Sequence, residues 1–471
     1  MRIKRNFLFS LGASALLWAC QAQRVQHEIT PPLPEAYRTE QQVNRDSSMA
    51  NIQWRDFFTD AVLRDLIDTA LANNVDMQLA LKNMEAAELE FKRAKAGLLP
   101  NLQLQIQANT TNPSNNSLNG VSLSQFLGQN HIEDYNAALG LSWEADIWGK
   151  IKNQKAAARA IYLQTAEAQH AIQTQLVNQV AKAYYRLLML YDAQEIAARS
   201  LTLSENSLTL AQYQYEVGDI SLLAIEQLAA QKLAAASLIP DFKQQIALQE
   251  NALRILSGQL PARIDTKSKL RDVALPAMVN VGIPIQLLSK RPDIKQRELA
   301  IRAAAANEQA ARAHMYPSLV ISAQAGVNAL TASNWFTIPA SLFGSLTGGL
   351  TQPILQKRQL RTQYELAQVD YEKSVILFRQ AVLNATGEVS DALISIAHLA
   401  ERENVLLERT NRLQNAIKNA DLLFETGSAN YLDVVAAQSN ALQSELELVQ
   451  IRQSELAAAV DLYRSLGGGW Q

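Results

Sequence analysis

Cysteine is almost absent from this 471-residue chain, and Cys20 carries its only thiol. An intramolecular disulfide is thereby excluded, as is a zinc site of the multi-cysteine kind. Histidine is scarce too: five residues, with no H-x-x-x-H pair and no adjoining carboxylate cluster. His170, His314 and His398 read as surface or packing residues of helices. There is no G-x-S-x-G elbow and no P-loop, so no catalytic residue, metal ligand or cofactor is assigned, and no enzyme activity is expected. The formal net charge is −2 without a basic block, which argues against nucleic acid as a partner. Beyond the first twenty residues, no apolar run of membrane-helix length is expected.

Proline and glycine are missing over long intervals. No proline lies between Pro113 and Pro240, and none follows Pro353; no glycine occurs over 150–217, 388–426 or 428–466. These intervals are rich in Ala, Leu, Gln and Glu, all good helix formers. Leu176, Val180, Ala183, Leu187 and Leu190 recur at spacings of three and four. A helix from Lys150 to about Val217 is ~100 Å long at 1.5 Å per residue, the length of a coiled-coil rod.

The lone cysteine closes an apolar run. Arg2, Lys4 and Arg5 precede Phe7–Ala19, a pattern of a secretory leader over 1–19. An ordinary signal peptidase cut after Ala19 is one reading. The other is a lipobox, Leu17-Trp18-Ala19-Cys20, which makes Cys20 the acylated first residue of the mature chain; Trp18 is bulkier than that pattern prefers. The placement of the only thiol favours lipid attachment at Cys20, a firm anchor at ~0.8 kcal/mol per buried methylene. Gln21 follows where, by resemblance to enterobacterial lipoproteins, the lack of aspartate points to the outer membrane.

The rest of the chain is written twice. "NVDMQLALKNMEAAELEFKRAKAGLLPNLQLQ" from Asn74 matches "RPDIKQRELAIRAAAANEQAARAHMYPSLVIS" from Arg291, pairing Asp76 with Asp293 and Pro100 with Pro317. Later "YEVG" ending at Gly218 matches "FETG" ending at Gly427, with eight residues fewer between. A shorter loop in the second copy accounts for the loss. The expected organisation is a first repeat over 51–256, a linker over 257–284 and a second repeat over 285–471, preceded by an anchor and extended arm over 20–50. Pro292 and Asp293 suit a helix start, as do Asn74 and Asp76.

Within each repeat the period changes from helical to two. Leu102, Leu104, Ile106 and Ala108 alternate with Gln103, Gln105 and Gln107. Tyr135, Ala137, Leu139, Leu141 and Trp143 alternate with small and polar residues. Strands are expected over about 101–110, 135–145, 318–327 and 341–351, each the length of a tilted membrane crossing. Tyr135 and Trp143 sit as girdle aromatics do. Four strands cannot close a barrel, and open edges are prohibited in lipid, so the chain must oligomerise. Three copies give twelve strands and an open duct, whereas eight strands would fill their own interior.

From about Gln53 to Trp470 the chain resembles the TolC-like outer-membrane efflux protein family, in its lipoprotein branch serving RND-type pumps. The resemblance rests on "WRDFFTDAVLRDLIDTALANN", "LSWEADIWGK", "SKRPDI", "ARAHMYPSL" and "LYRSLGGGW". It implies a mainly α fold with a membrane β-barrel: a homotrimer with a twelve-strand barrel, a long periplasmic α-barrel and an equatorial region. The implied partners are a periplasmic adaptor, an inner-membrane RND pump and outer-membrane lipids. The implied function is a passive exit duct for small molecules, drugs, toxic compounds or metal ions among them. An exit duct for type I protein secretion is the alternative within the family. A periplasmic adaptor or structural coiled-coil lipoprotein is the alternative outside it.

The turns at Gly218 and Gly427 are expected to join helix pairs at the periplasmic tip. By resemblance Asp433 matches a lumen-facing carboxylate, and trimerisation gathers three copies around the axis. A second family carboxylate is here Ala436. A family latch between an aspartate and a tyrosine falls on Ala224 and Phe424 and is absent. Closure is therefore assigned to Tyr431, Leu432 and Asp433.

Overall fold

The computed structural model describes Met49 and residues 52–126, 128–273 and 287–471. The leader, Cys20, almost all of the arm and residues 274–286 of the linker lie outside the described residues.

Helices α1 (Trp54–Phe57), α2 (Ala61–Asn73) and α3 (Val75–Ala96) lead into β1 (Asn101–Thr111). The short α4 (Leu118–Phe126) sits in the loop before β2 (Ile132–Ala145), and the long α5 (Lys150–Glu216) and α6 (Leu222–Leu256) follow. The second half runs α7 (Leu287–Lys290), α8 (Pro292–Ala313), β3 (Ser318–Ala329), β4 (Leu342–Thr351), α9 (Gln359–Glu425) and α10 (Tyr431–Ser465). The duplication is visible in the lengths. α3 and α8 each have 22 residues, α5 and α9 each 67, and α6 and α10 each 35. The loop over 330–341 is eight residues shorter than that over 112–131, where the sequence offset places the loss.

The four strands form one antiparallel sheet in the order β1-β2-β3-β4. β1 and β4 are its two edges. α5 pairs with α6, α9 pairs with α10, and α5 also packs on α8 and α10. Helices this long draw little stability from propensity alone and hold by side-to-side packing.

The main core lies where α2, the middle of α5 and the end of α10 meet. Trp54, Phe58, Leu63, Ile67, Tyr184, Leu187, Leu188 and Tyr463 are buried there. Phe57 stacks on Tyr463 with centroids 4.1 Å apart. Asp60 caps α2 through the amides of Val62 and Leu63, and its second oxygen accepts from the Tyr184 hydroxyl at 2.8 Å. Burial pushes the Tyr184 phenol well above its usual range. This core fixes the mid-height of the rods, from which the sheet projects one way and the helix tips the other.

One sequence expectation is corrected. α6 is long and apolar enough to cross a bilayer by length and composition, with an 18-residue window of mean hydropathy 1.3. Its Ala-Leu richness, chosen for helix formation, produces that value. It is instead a coil helix laid along α5. Gln231, within it, donates to Ser439 of α10 at 2.9 Å, and its last carbonyl, Leu256, accepts from Asn74 at 2.9 Å.

Candidate duct lining and tip constriction

Residues paired directly across an antiparallel ladder share a face of the sheet. Leu102, Leu104 and Ile106 of β1 pair with Leu141, Leu139 and Ala137 of β2. These pair in turn with Ala323, Ala325 and Val327 of β3, which meet Leu346, Gly344 and Leu342 of β4. One apolar face therefore runs unbroken across all four strands. Leu102, Leu104 and Ile106 are each about two-thirds exposed within the single chain. The opposite face carries Gln103, Gln105, Gln107, Asn136, Ser142, Gln324, Ser345 and Thr347. Along β1 the amides form a ladder: Gln105 donates to Gln107, and Gln107 to Asn109, each at 3.1 Å. An apolar face outward and a hydrogen-bonding face inward is the lining of a water-filled barrel.

Aromatic side chains stand at both ends of the apolar face. At one end Tyr135 packs 5.3 Å from Trp335, which packs 5.0 Å from Phe336. At the other, the Trp143 indole donates to the Leu98 carbonyl at 3.1 Å, and Trp148 donates to Pro317 at 2.8 Å and stacks on Tyr316. Tyr135 and Trp143 are eight residues apart on β2, ~27 Å of strand and ~21 Å of membrane depth once tilted by ~40°. That matches an apolar band of ~25 Å.

At the far end of the rods Gly218 and Gly427 adopt φ of 87° and 68°, a left-handed geometry that glycine takes without strain. Each closes a turn between a 67-residue helix and its return. The tips have a small core of their own: Ala211, Leu228, Phe424 and Val434, with Tyr431 packed against it. Ala224 and Phe424, the positions matching the absent latch, are both buried. Leu432 is half exposed.

Asp433 occupies the third position of α10 and completes a capping box. Its carboxylate accepts from the Asn430 amide at 3.1 Å, while the Asn430 side chain accepts from Leu432 at 3.3 Å. Sequence reasoning missed this role, although Asn430-x-x-Asp433 is a local capping signal. It also missed a buried polar tie above the tip. Gln438 of α10 donates to Ser207 of α5 at 2.8 Å, with Ser204 3.4 Å from its oxygen. Gln214 of α5 donates to the Phe424 carbonyl at 3.0 Å. These bonds hold the second coil against the first. Burial, with the charge of Glu425, pushes the nearby Asp421 carboxyl up, and a hydrogen bond from Gln438 opposes the rise. A cleft of about 540 Å³ opens between the tips, lined among others by Gln214, Asp219, Phe424, Asn430 and Tyr431.

A sheet with a lipid face and a wet face, carried on helical rods of ~100 Å, defines an outer-membrane channel that extends into the periplasm. The chain belongs to the outer membrane efflux protein family, whose model matches residues 66–259 and 283–468. It is 28% identical over 446 residues to the cation efflux system protein CusC of Escherichia coli O6:H1, covering 93% of this chain and 94% of that protein. A crystal structure of CusC superposes with a TM-score of 0.80 at 27% identity, covering 93% of this chain and 98% of that one. The chain is 30% identical to the toluene efflux pump outer membrane protein TtgF of Pseudomonas putida, covering 89% of this chain and 86% of that protein. It is 26% identical to the probable outer membrane lipoprotein SilC of Salmonella typhimurium, covering 98% of each. The protein is an outer-membrane duct of an efflux system.

Proposed function

We propose that three copies of the chain close a twelve-strand barrel and conduct small solutes passively from the periplasm to the exterior. The observation that carries this reading is the unbroken apolar face with two open edges, β1 and β4. Unpaired edge groups in hydrocarbon cost several kcal/mol each, so the edges must pair with another copy. The amide-lined inner face offers water and polar solutes hydrogen bonds without binding any one of them tightly.

Energy and cargo choice come from an inner-membrane pump reached through a periplasmic adaptor, which docks at the tips. Relatives named for cation and for toluene efflux share this fold, which fits a duct indifferent to cargo. Lipid on Cys20 anchors the chain beside its barrel; the lipoprotein name of SilC supports that reading. At the tip Tyr431, Leu432 and Asp433 of the three copies form the constriction, Asp433 supplying a ring of negative charge focused by low-dielectric walls.

Deleting the gene should raise cellular accumulation of a fluorescent efflux substrate, and the wild-type chain should restore export. A chain carrying charged residues at Leu104 and Leu139 on the lipid face should not. Restoration by that variant would contradict a transmembrane role for the sheet.

A further inference from the structure

We infer that the periplasmic rim of the barrel is a binding surface for anionic phospholipid headgroups of the inner leaflet. The membrane-spanning segments are bracketed by cations on this side alone. No Lys or Arg occurs over 96–149, and no charged residue of either sign over 313–356. The first ionic residue met on leaving β1, β3 and β4 toward the helices is a cation in each case: Lys95, Arg312 and Lys357. On leaving β2, Glu144 pairs with Lys150, and Asp146 accepts from the amides of Ile151 and Lys152. Both carboxylates at that crossing are thus occupied, and Lys152 follows. The opposite rim carries Glu133 and Asp134 and no Lys or Arg.

Lys95, Lys152 and Lys357 are exposed and form no ion pair among the described residues. α5 and α9 have no acidic residue in their first turns. Cations at these positive helix ends work against the helix, so helix stability does not explain Lys152 and Lys357; Lys95 and Arg312 stand in the last turns of α3 and α8, where a cation also suits the negative helix end.

Apolar side chains complete the surface. Ile354 and Leu355, next to Lys357, are 85% and 94% exposed, and Leu99 beside Lys95 is 68% exposed. Trp148 and Tyr316, held by their stack and by the bond to Pro317, mark the same level. Chain carbons, then a ring of interfacial aromatics, then lysine ammonium groups is the order of chemistry met along a phospholipid from acyl chain to phosphate. The surface continues the lipid face of the sheet, and its charge complements a phosphodiester.

The proposal rests on the transmembrane reading of the sheet. Full-length wild type and the Lys95→Gln/Lys152→Gln/Lys357→Gln variant are to be reconstituted in equal phosphatidylethanolamine and phosphatidylglycerol. After progressive delipidation the retained lipid is weighed by mass spectrometry. Wild type should retain phosphatidylglycerol over phosphatidylethanolamine by about fivefold or more. The glutamine variant should lose the preference and the triple Lys→Arg variant keep it, with bilayer conductance equal in all three. No preference in wild type, or an unchanged preference in the glutamine variant, overturns the proposal. Displacement of phosphatidylglycerol by equimolar inorganic phosphate would assign the lysines to a free anion and overturn it also. A wild type that does not conduct would instead sink the transmembrane reading.

Discussion

The guanidinium of Arg291 donates to the carbonyl of Ser465, the last residue of α10, at 3.0 Å. The same contact exists in the first repeat, where Asn74 donates to Leu256, the last residue of α6, at 2.9 Å. Each repeat thus ties the start of its short helix to the end of its returning coil. In the second copy the tie is ionic as well. Arg291 lies 2.7 Å from Asp293 and 2.8 Å from Glu388, with its side chain only 5% exposed. Removing Arg291 strands two carboxylates that are 44% and 37% exposed, so water offsets part of the loss. Arg291→Met should cost about 2–3 kcal/mol of stability, read as a clear drop in thermal midpoint in detergent. A loss within about 1 kcal/mol would show that the cluster is dispensable.

Gly467 packs beside this tie at φ 99°, and a Cβ there would lie 2.8 Å from the Lys290 carbonyl group. Its counterpart Gly258 meets Asn73 in the same way. Gly467→Ala combines a left-handed backbone with a backbone clash and should destabilise by about 2 kcal/mol or more. A midpoint equal to wild type would mean that the carboxy-terminal turn is free to shift.

The capping box separates two roles of Asp433. Asp433→Ala removes charge and cap together, whereas Asp433→Gln keeps a third-position acceptor and removes only the charge. Both should weaken block by divalent cations added from the periplasmic side of a planar bilayer. Only the alanine variant should also raise basal conductance, because it alone loosens the first turn of α10, by about 1 kcal/mol. Unchanged block in both would assign Asp433 to capping alone.

Glu455 of α10 is buried, and burial together with a hydrogen bond to Glu403 raises it from 4.5 to about 7. Arg452, 2.8 Å from Glu403, pulls the other way. The folded chain therefore binds a proton that the unfolded chain releases, and stability falls as pH rises from about 4.5 to about 7. Glu455→Gln should raise the thermal midpoint at pH 8 by the equivalent of about 1 kcal/mol and leave it unchanged near pH 4.5. A variant less stable than wild type at pH 8 would contradict this linkage.

The long helices were legible because the sequence withholds glycine and proline from them, and the strands because their period is two. The duplicated lengths follow from the matched segments. What pairing distributes across the chain was not legible. Gln438 and Ser207 lie 231 residues apart, and nothing local in either marks the bond. The apolar length of α6 exceeds the sequence expectation because alanine and leucine serve a coil helix and a membrane helix alike. The capping role of Asp433 is local and legible in the Asn430-x-x-Asp433 pattern.

Covalent capture of the barrel seam tests closure by three copies most directly. Gln105→Cys on edge β1 is to be combined in turn with cysteine at Phe343, Ser345, Thr347 or Gly349 on the same face of edge β4, and the chains oxidised in the outer membrane. One pairing should yield a ladder of disulfide-linked species ending at three chains. Monomer throughout the panel, or a ladder that passes three, would contradict closure of the duct by three copies.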